Sequence, residues 1–156
     1  MAKMSDKAKR TAVAVALATA IAMPMEGLRQ WVYKDPVGLP TVCFGTTGPD
    51  VIPGKKYSID ECKALLNRDM LAAIEQVERC HPQLPDNVLA AFGDAVYNIG
   101  PKVACNSTAA KYLKAGNYEA ACRELPRWNR ATVAGVSVVL PGLTKRRNLE
   151  MALCLS

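Results

Sequence analysis

The stretch EGLRQWVYKDPVGLPTVCFG, residues 26–45, decides the fold because it joins an apolar run to a turn and a strand without a linker. Asp35-Pro36 and Gly38-Leu39-Pro40 break regular structure. Residues 41–47, TVCFGTT, are a short strand candidate, and the ten residues after them are rich in turn formers. The stretch therefore predicts a small hairpin-based region, β or mixed, directly after an apolar N-terminal segment.

The same stretch carries two carboxyl groups in contrasting surroundings. Glu26 follows the apolar run, where a carboxyl is partly desolvated and its protonated form is favoured. Asp35 lies among turn residues, where a carboxylate stays solvated and charged. One protonated and one ionised carboxyl are what glycoside hydrolysis requires. Two unrelated surface residues would give the same spacing, so the pair alone does not decide.

Composition narrows the class of protein. The chain has 156 residues, of which 50% are hydrophobic and 22% charged, which predicts one globular domain. The net charge of +6 fits a polyanionic partner such as nucleic acid, an anionic membrane or an acidic envelope polymer. Because the sequence has no zinc-finger spacing and no RNA-binding signature, nucleic acid is disfavoured. Residues 1–10, MAKMSDKAKR, predict an unstructured basic arm.

Six cysteines are spread along the chain without a CxxC pair, and His81 is the only histidine. The sequence therefore predicts no metal centre, and we expect no other cofactor. An even number of cysteines beside an export-like N-terminus favours disulfides over buried free thiols. Fifteen pairings are possible, and the residues alone do not choose among them. We interpret His81 as a solvated loop residue.

Residues 11–25, TAVAVALATAIAMPM, lack charge and carry Ala at every even position from 12 to 22. Three interpretations compete: a cleaved signal peptide, a membrane anchor, or the buried first helix of the domain. An anchor of this length is marginal, because fifteen helical residues reach about 22 Å of a ~30 Å hydrocarbon core. Ala also contributes little insertion energy. Pro24 is expected to kink any helix there.

The remainder of the chain predicts helices. Ser58 and Glu61 have the spacing of a capping box, and apolar residues at helical spacing follow. Asp86 is a candidate N-cap for the apolar segment 88–99, which Gly100 and Pro101 should end. Shorter helices are expected at about 106–115, 117–125 and 143–154. A hairpin region before a helical lobe is an α+β architecture, with a cleft between the lobes as the natural binding place.

Glu26, Asp35 and Thr41 also follow a known pattern: a Glu, eight residues, an Asp, five residues and a Thr. The pattern resembles the phage-type lysozymes, glycoside hydrolase family 24, typified by the lysozyme of the T-even bacteriophages. The chain is most similar there to the signal-anchor-release endolysins of lambdoid-like phages, which carry a weak N-terminal transmembrane segment and similarly placed cysteines. Residues 131–140 depart from the family's usual Ala-Gly-Gly stretch, which leaves the local structure open. The resemblance runs from about residue 20 to the end and includes Tyr57–Leu66, Asp94–Gly100, Leu113–Cys122, Trp128 and Gly142–Glu150.

The resemblance implies a lysozyme-like fold, with a small hairpin-containing N-terminal lobe and a larger helical C-terminal lobe. It implies hydrolysis of the β-1,4 bond between N-acetylmuramic acid and N-acetylglucosamine in peptidoglycan. Glu26 would be the general acid, and Asp35 would act on the attacking water or stabilise positive charge at the sugar. The hydroxyl of Thr41 would position that water. The T-even member suggests an inverting reaction.

The resemblance also implies supporting roles. Tyr97, Asn98 and Phe44 would contact the sugar, although Asn98 could instead cap its helix and Tyr97 could pack in the core. Arg146 or Arg147 would orient Glu26, unless the two form a surface charge run. The similarly placed cysteines imply the pairs Cys43–Cys62, Cys80–Cys105 and Cys122–Cys154.

The biological role follows from the same resemblance. The protein would be a monomeric endolysin of a phage or prophage, which residues 1–25 hold inactive at the host inner membrane before release to the periplasm. The lysozyme domain would span residues 20–156, so the anchor would also supply the first helix of the enzyme. Signal cleavage after Ala22 would remove the helix ahead of Glu26, which favours release over cleavage. A cleaved signal peptide and a holin-dependent route remain the alternative export routes. The rival is a non-catalytic basic protein that binds murein or membranes.

Overall fold

The computed structural model describes residues 2–156 and divides them into a small lobe built on a three-stranded sheet and a larger helical lobe. This is the α+β architecture that the sequence predicts. The elements are α1 Asp6–Glu26, β1 Arg29–Lys34, β2 Pro40–Cys43, β3 Thr46–Thr47, α2 Ile59–Cys80, α3 Asp86–Ile99, α4 Lys102–Cys105, α5 Thr108–Lys114, α6 Tyr118–Glu124, a 3-10 turn Leu125–Arg127, β4 Arg130–Val133, β5 Val136–Val139 and α7 Pro141–Leu155.

Helix α1 begins earlier than the sequence predicts. The hydroxyl of Ser5 accepts a hydrogen bond from the amide of Ala8, and Asp6 lies in the first turn, where a negative charge favours the helix. Thr11 donates a hydrogen bond of 2.6 Å to Glu78 of α2, which ties this end of α1 to the domain. The prediction that residues 1–10 form an unstructured arm is therefore wrong for residues 6–10.

The alternating alanines of α1 divide into two faces. Ala14, Ala18 and Ala22 have no exposed surface and pack into the core, where α1 contacts α3 and α2. Ala12, Ala16 and Ala20 face solvent, because positions four apart lie on the same side of a helix. Small residues on both faces let α1 pack closely against the domain, and its outer surface carries no charge over residues 11–25.

Pro24 does not end α1, which continues as an α-helix to Glu26. A proline removes one backbone donor, and this one lies only two residues before the end of the helix. The helix therefore runs through Pro24, and a kink at this residue stays a prediction.

The small lobe is a meander in the order β1-β2-β3, with antiparallel pairing throughout. Its first turn closes where the amide of Asp35 donates to the carbonyl of Leu39 at 2.9 Å. The predicted strand at residues 41–47 is two strands, because Gly45 adopts a φ of 98° and turns the chain back. This turn brings the chain next to the end of α1.

Helix α2 begins with the predicted capping box, in which both hydrogen bonds between Ser58 and Glu61 are present. Helix α3 corrects one expectation, because Pro85 is its N-cap and Asp86 is its first helical residue. Proline suits a helix start because its missing amide would have no partner there. The C-cap is Gly100, as predicted.

The C-terminal part contains the three predicted short helices as α5, α6 and α7, together with elements that the sequence did not predict. The four-residue α4 is too short for a periodic signal. Most of the segment 131–140, which the sequence left open, lies in the hairpin β4–β5, whose turn holds Ala134 and Gly135 at φ of 49° and 81°. The prediction of helices was sound where an amphipathic pattern was long enough to detect.

Three disulfides fix the helical lobe and join it to the sheet. The bonded pairs are Cys43–Cys62 between β2 and α2, Cys80–Cys105 between α2 and α4, and Cys122–Cys154 between α6 and α7. Loops of this size predict roughly 3–4 kcal/mol of stabilisation each in the chain-entropy account.

His81 is not a solvated loop residue. It is 4% exposed, and its Nε2 lies 2.6 Å from the carbonyl oxygen of Ala104. The neighbouring disulfide draws α4 over the end of α2, which buries the imidazole and supplies its partner.

Gly93 of α3 packs directly against Ile74 of α2, and we predict that Gly93→Ala is destabilising. An added Cβ would overlap Cδ1 of Ile74 and lie 3.0 Å from its Cγ1, and Ile74 is fully buried. We expect a loss of about 1–3 kcal/mol in the free energy of unfolding, measured by urea denaturation. Gly142→Ala is the control: Gly142 is also helical, its added Cβ meets nothing within 4 Å, and stability should stay equal or rise. A Gly93→Ala protein as stable as this control would contradict the packing.

Candidate active site

Glu26 is the last residue of α1, and Gly27 ends the helix with a φ of 72°. Its side chain is 24% exposed, so the carboxyl is reachable from solvent but partly enclosed. Oε1 accepts a hydrogen bond from Nη1 of Arg146, which α7 supplies. The end of one helix and the first turns of another therefore hold this carboxyl from two sides.

Arg146 is itself held from behind by Asp94 of α3. Nε and Nη2 of the guanidinium donate to Oδ2 and Oδ1 of Asp94 at 2.9 and 2.8 Å, and both side chains are buried. Burial lowers the pKa of Arg146, but the hydrogen bonds and charges of Asp94 and Glu26 outweigh it and raise the pKa above its usual value. The guanidinium is therefore charged and has one nitrogen directed at Glu26.

Arg147 does not contact Glu26, contrary to one of the two alternatives from the sequence. Its guanidinium donates two hydrogen bonds of 2.6 Å to Glu150 and one of 2.8 Å to Oδ1 of Asn98. Successive helical residues point about 100° apart, so only one of two neighbouring arginines can face Glu26. Arg147 instead joins α7 to the end of α3.

The second oxygen of Glu26 faces the sheet at Gly45. A Cβ at position 45 would lie 3.8 Å from Oε2 of Glu26 and 3.9 Å from the hydroxyl of Tyr97, so the missing side chain leaves this space open. Tyr97 donates a hydrogen bond of 2.8 Å to the carbonyl of Phe44. Burial and the negative charge of Glu26 raise the pKa of Tyr97, which keeps its hydroxyl protonated.

Phe44 is a core residue rather than a sugar contact, which corrects the expectation. Its side chain is 5% exposed and belongs to the hydrophobic cluster. The neighbouring Gly45 turns the chain so that the backbone of residue 44, and not its ring, points toward Tyr97.

Asp35 stands at the start of the β1–β2 turn and is half-buried. Its Oδ1 accepts hydrogen bonds from the amides of Val37 and Leu39 at 2.9 and 2.8 Å. Among the described residues 2–156, Oδ2 accepts no hydrogen bond. Two backbone donors fix the orientation of the carboxylate, while the second oxygen is left for a ligand or water.

Thr41 lies on β2 opposite Tyr33 of β1 and is 3% exposed. Its hydroxyl donates to the carbonyl of Leu39 at 3.0 Å, so its oxygen lone pairs face away from that bond. The β1–β2 hairpin thus presents both Asp35 and Thr41, two strand-end residues that the sequence separates by five others.

Similarity to known proteins identifies the family to which this site belongs. The profile of the phage lysozyme family matches residues 23–150. The chain belongs to the phage lysozyme family. The SAR-endolysin of Bacteriophage PS119 is 39% identical over 132 residues, which cover 84% of this chain and 77% of that protein. The SAR-endolysin of Pseudomonas phage phiKMV is 35% identical over 154 residues, 97% of this chain and 93% of that protein. The solved muramidase domain of SpmX from Asticaccaulis excentricus has a TM-score of 0.79 at 26% identity and covers 100% of this chain and 99% of that one.

The cluster that includes Glu26 has more carboxyl groups than guanidinium groups. The cluster contains Glu26, Asp94 and Glu150 against Arg146 and Arg147. Burial raises the pKa of Glu150 to about 9, aided by its hydrogen bond with Asp94 and opposed by Arg147. The raised pKa favours the protonated form of Glu150 in the folded protein.

This buried proton predicts a pH dependence of stability. The folded-state pKa of Glu150 lies above its unfolded value, so its stabilising contribution is complete below about pH 4.5 and is lost as pH rises toward about 9. Thermal unfolding between pH 5 and 9 should show the midpoint of the wild-type lysozyme falling with pH. Glu150→Gln cannot titrate and should show a shallower slope. Equal slopes in the two proteins would contradict a buried proton at this position.

Sequence reasoning assigned no role to Asp94 or Glu150, although a signal exists for each. Asp94 is the only charged residue in the otherwise apolar run 88–99, and a charge on such a face must be paired when it is buried. Glu150 follows Arg147 by three residues, which places both on one helix face. Neither signal identifies the distant residues that Asp94 and Glu150 contact in the folded protein.

Proposed function

We propose that this phage lysozyme is an endolysin that degrades the host's peptidoglycan by hydrolysing the β-1,4 bond between N-acetylmuramic acid and N-acetylglucosamine. The observation that carries the proposal is Glu26 at the end of α1, hydrogen-bonded by a charged Arg146, beside a hairpin that carries Asp35 and Thr41 at the family's spacing. A lysozyme-type glycosidase needs this division between an enclosed acid and a hydrogen-bonded carboxylate.

In the proposed reaction, Glu26 gives its proton to the glycosidic oxygen as the bond from the muramic acid carbon to that oxygen breaks. Glu26 becomes a carboxylate in this step, and Arg146 stabilises the new charge through the hydrogen bond already in place. Because that stabilisation grows as the proton leaves, it favours the transition state over the bound substrate.

Asp35 completes the reaction on the hairpin side. Its Oδ1 is fixed by two amides, so Oδ2 is the oxygen placed to accept a proton from the attacking water or to stabilise positive charge on the sugar. Thr41 donates its hydroxyl proton to Leu39, which leaves the oxygen as an acceptor for the same water. The hydroxide of that water goes to the sugar carbon, and its proton goes to Asp35.

Tyr97 and Asn98 are the proposed sugar contacts on the helical lobe. Both are half-buried near the end of α3. Asn98 uses Oδ1 to accept from Arg147, which leaves its amide hydrogens for a sugar oxygen or an acetamido carbonyl. Arg147 is then a support for this contact, and Arg146 is the orienting residue for Glu26.

The test of the proposed function separates glycosidase chemistry from cleavage of the peptide stems. Purified protein is incubated with isolated sacculi, and new reducing sugar ends and new amino groups are counted in parallel. We expect reducing ends to rise as turbidity falls, with amino groups constant. A rise in amino groups without reducing ends would contradict a glycosidase.

We also propose that α1 anchors the protein in the inner membrane before it acts in the periplasm as a monomer. The helix of 21 residues spans about 31 Å, and by length and composition it can cross a membrane. Residues 6–10 carry charge, so the apolar part remains the weak run of residues 11–25. The folded structure uses the same residues to carry Glu26, so the protein cannot be anchored and have this site assembled at once.

The anchor is tested by fractionation of cells that express the full chain. We expect the protein in the membrane fraction, and we expect it to move to the periplasm at unchanged intact mass when the membrane is depolarised. Periplasmic protein that has lost residues 1–22 would contradict the anchor and indicate signal cleavage.

A further inference from the structure

We infer that Asp94 is a positioning residue for catalysis: by holding the guanidinium of Arg146 from behind, it fixes the direction in which that guanidinium meets the carboxyl of Glu26. The inference rests on the proposed role of Glu26 as general acid. The side chains of Asp94, Arg146 and Glu26 come from three different helices, α3, α7 and α1. No interaction of Asp94 with the sugar is required.

Each nitrogen of the Arg146 guanidinium has one hydrogen-bond partner. Asp94 occupies Nε and Nη2 with two nearly equal hydrogen bonds, so the planes of the carboxylate and the guanidinium are fixed together. Nη1 is left for Glu26. Since the guanidinium is planar, holding one edge determines where the third nitrogen points.

Asp94 is suited to this task because its burial leaves it no water to replace Arg146 as a partner. It has no exposed surface, and it lies in the middle of α3 among the buried residues Phe92 and Val96. Glu26, by contrast, is 24% exposed and ends its helix, so the carboxyl needs an external support to keep one position. Arg146 transmits the rigidity of α3 to that position.

Glu150 is an alternative partner for the guanidinium of Arg146, and Asp94 keeps Arg146 from turning toward it. Oε1 of Glu150 lies 4.0 Å from Nε of Arg146, so a small rotation of the guanidinium would bring that oxygen within hydrogen-bonding distance. Without the carboxylate of Asp94, the guanidinium is expected to turn toward Glu150 and withdraw Nη1 from Glu26. A displacement of this kind near a reacting group costs on the order of 100-fold in rate.

The main test is Asp94→Asn, because asparagine keeps the shape but can accept only one of the two hydrogen bonds and turns an amino group toward the guanidinium. We expect kcat on soluble glycan strands to fall roughly 10- to 100-fold with KM within about twofold of wild type. Val88→Ala is the control: Val88 is buried on the same helix but has no polar group that could hold Arg146, so this variant should lose stability but keep kcat well below its melting temperature. Wild-type kcat in Asp94→Asn, or equal losses in both variants, would overturn the inference.

Two further measurements keep the test decisive if Asp94→Asn folds poorly or the proposed function fails. Arg146→Lys retains Asp94 and the charge but cannot reach both carboxylates in one plane, and its kcat should fall at least 10-fold. Full kcat in that variant would overturn the inference. Proton exchange at Nε of Arg146, followed by nitrogen NMR, should be slow in the wild type and at least 10-fold faster in Asp94→Asn. A wild-type protein that forms no reducing ends contradicts the proposed function, whereas unchanged exchange contradicts the role of Asp94.

Discussion

Glu26→Gln is expected to lower the rate of murein cleavage by about 1000-fold or more, because general acid catalysis alone contributes 10²–10⁴-fold. Glutamine cannot give a proton to the glycosidic oxygen. Its Oε1 can still accept from Nη1 of Arg146, so the fold should persist and the free energy of unfolding should change by only about 1 kcal/mol. The measurement is the initial rate of soluble fragment release from sacculi, together with urea denaturation.

The matched control is Glu119→Gln, which alters an exposed glutamate that pairs only with Arg123 one helical turn away. It should keep the wild-type rate, because exposed pairs of this kind are worth about 0.3–0.5 kcal/mol to stability and this one lies on α6. A Glu26→Gln protein that clears sacculi at more than a tenth of the wild-type rate would contradict the assignment of Glu26. It would favour the rival in which basic charge acts on the envelope without catalysis.

Arg147→Met is expected to lower the free energy of unfolding by roughly 3–5 kcal/mol, the cost of removing one partner from a buried ionic cluster. Arg147 has no exposed surface and supplies donors to Glu150, to Asn98 and, at 3.5 Å, to the carbonyl of Trp128. Its loss leaves the carboxylates of Glu26 and Asp94 with a single guanidinium and leaves Glu150 without its two hydrogen bonds. Urea denaturation with the disulfides intact measures the change.

A second variant separates the lost packing of Arg147 from the cost of leaving the buried carboxyl of Glu150 without its donors. In Arg147→Met with Glu150→Leu, the carboxyl that lost its donors is also removed, and stability should recover by roughly 2 kcal/mol relative to the single variant. Two losses that simply add would show that Arg147 and Glu150 do not act as a pair. A single variant that loses less than about 1 kcal/mol would contradict the buried cluster itself.

The sequence predicted the elements whose signal is local. The capping box at Ser58, the amphipathic pattern of α2 and the stop at Gly100 each depend on residues within a few positions, so they could be identified without the fold. The segment 130–139 could not, because its hairpin uses Ala134 in a left-handed conformation that asparagine or glycine usually signals.

The candidate site likewise has a part that the sequence predicts and a part that depends on tertiary contacts. The positions of Glu26, Asp35 and Thr41 follow from a spacing pattern, which a sequence displays directly. The support behind Glu26 depends on α3 and α7 meeting across more than fifty residues, so the sequence offers two adjacent arginines and no means to choose between them. Helical geometry decides: Arg146 faces Glu26 and Arg147 faces Glu150. The burial of Phe44 and His81 is likewise set by tertiary contacts and was not predicted.

The most direct test of the account is the chemical identity of the new sugar ends that the wild type and Glu26→Gln produce from the same sacculi. Fragments are reduced with borohydride and analysed by mass spectrometry. The account predicts muramitol ends from the wild type and about 1000-fold fewer from Glu26→Gln. Glucosaminitol or 1,6-anhydromuramic ends from the wild type, or muramitol ends formed by Glu26→Gln at the wild-type rate, would contradict it.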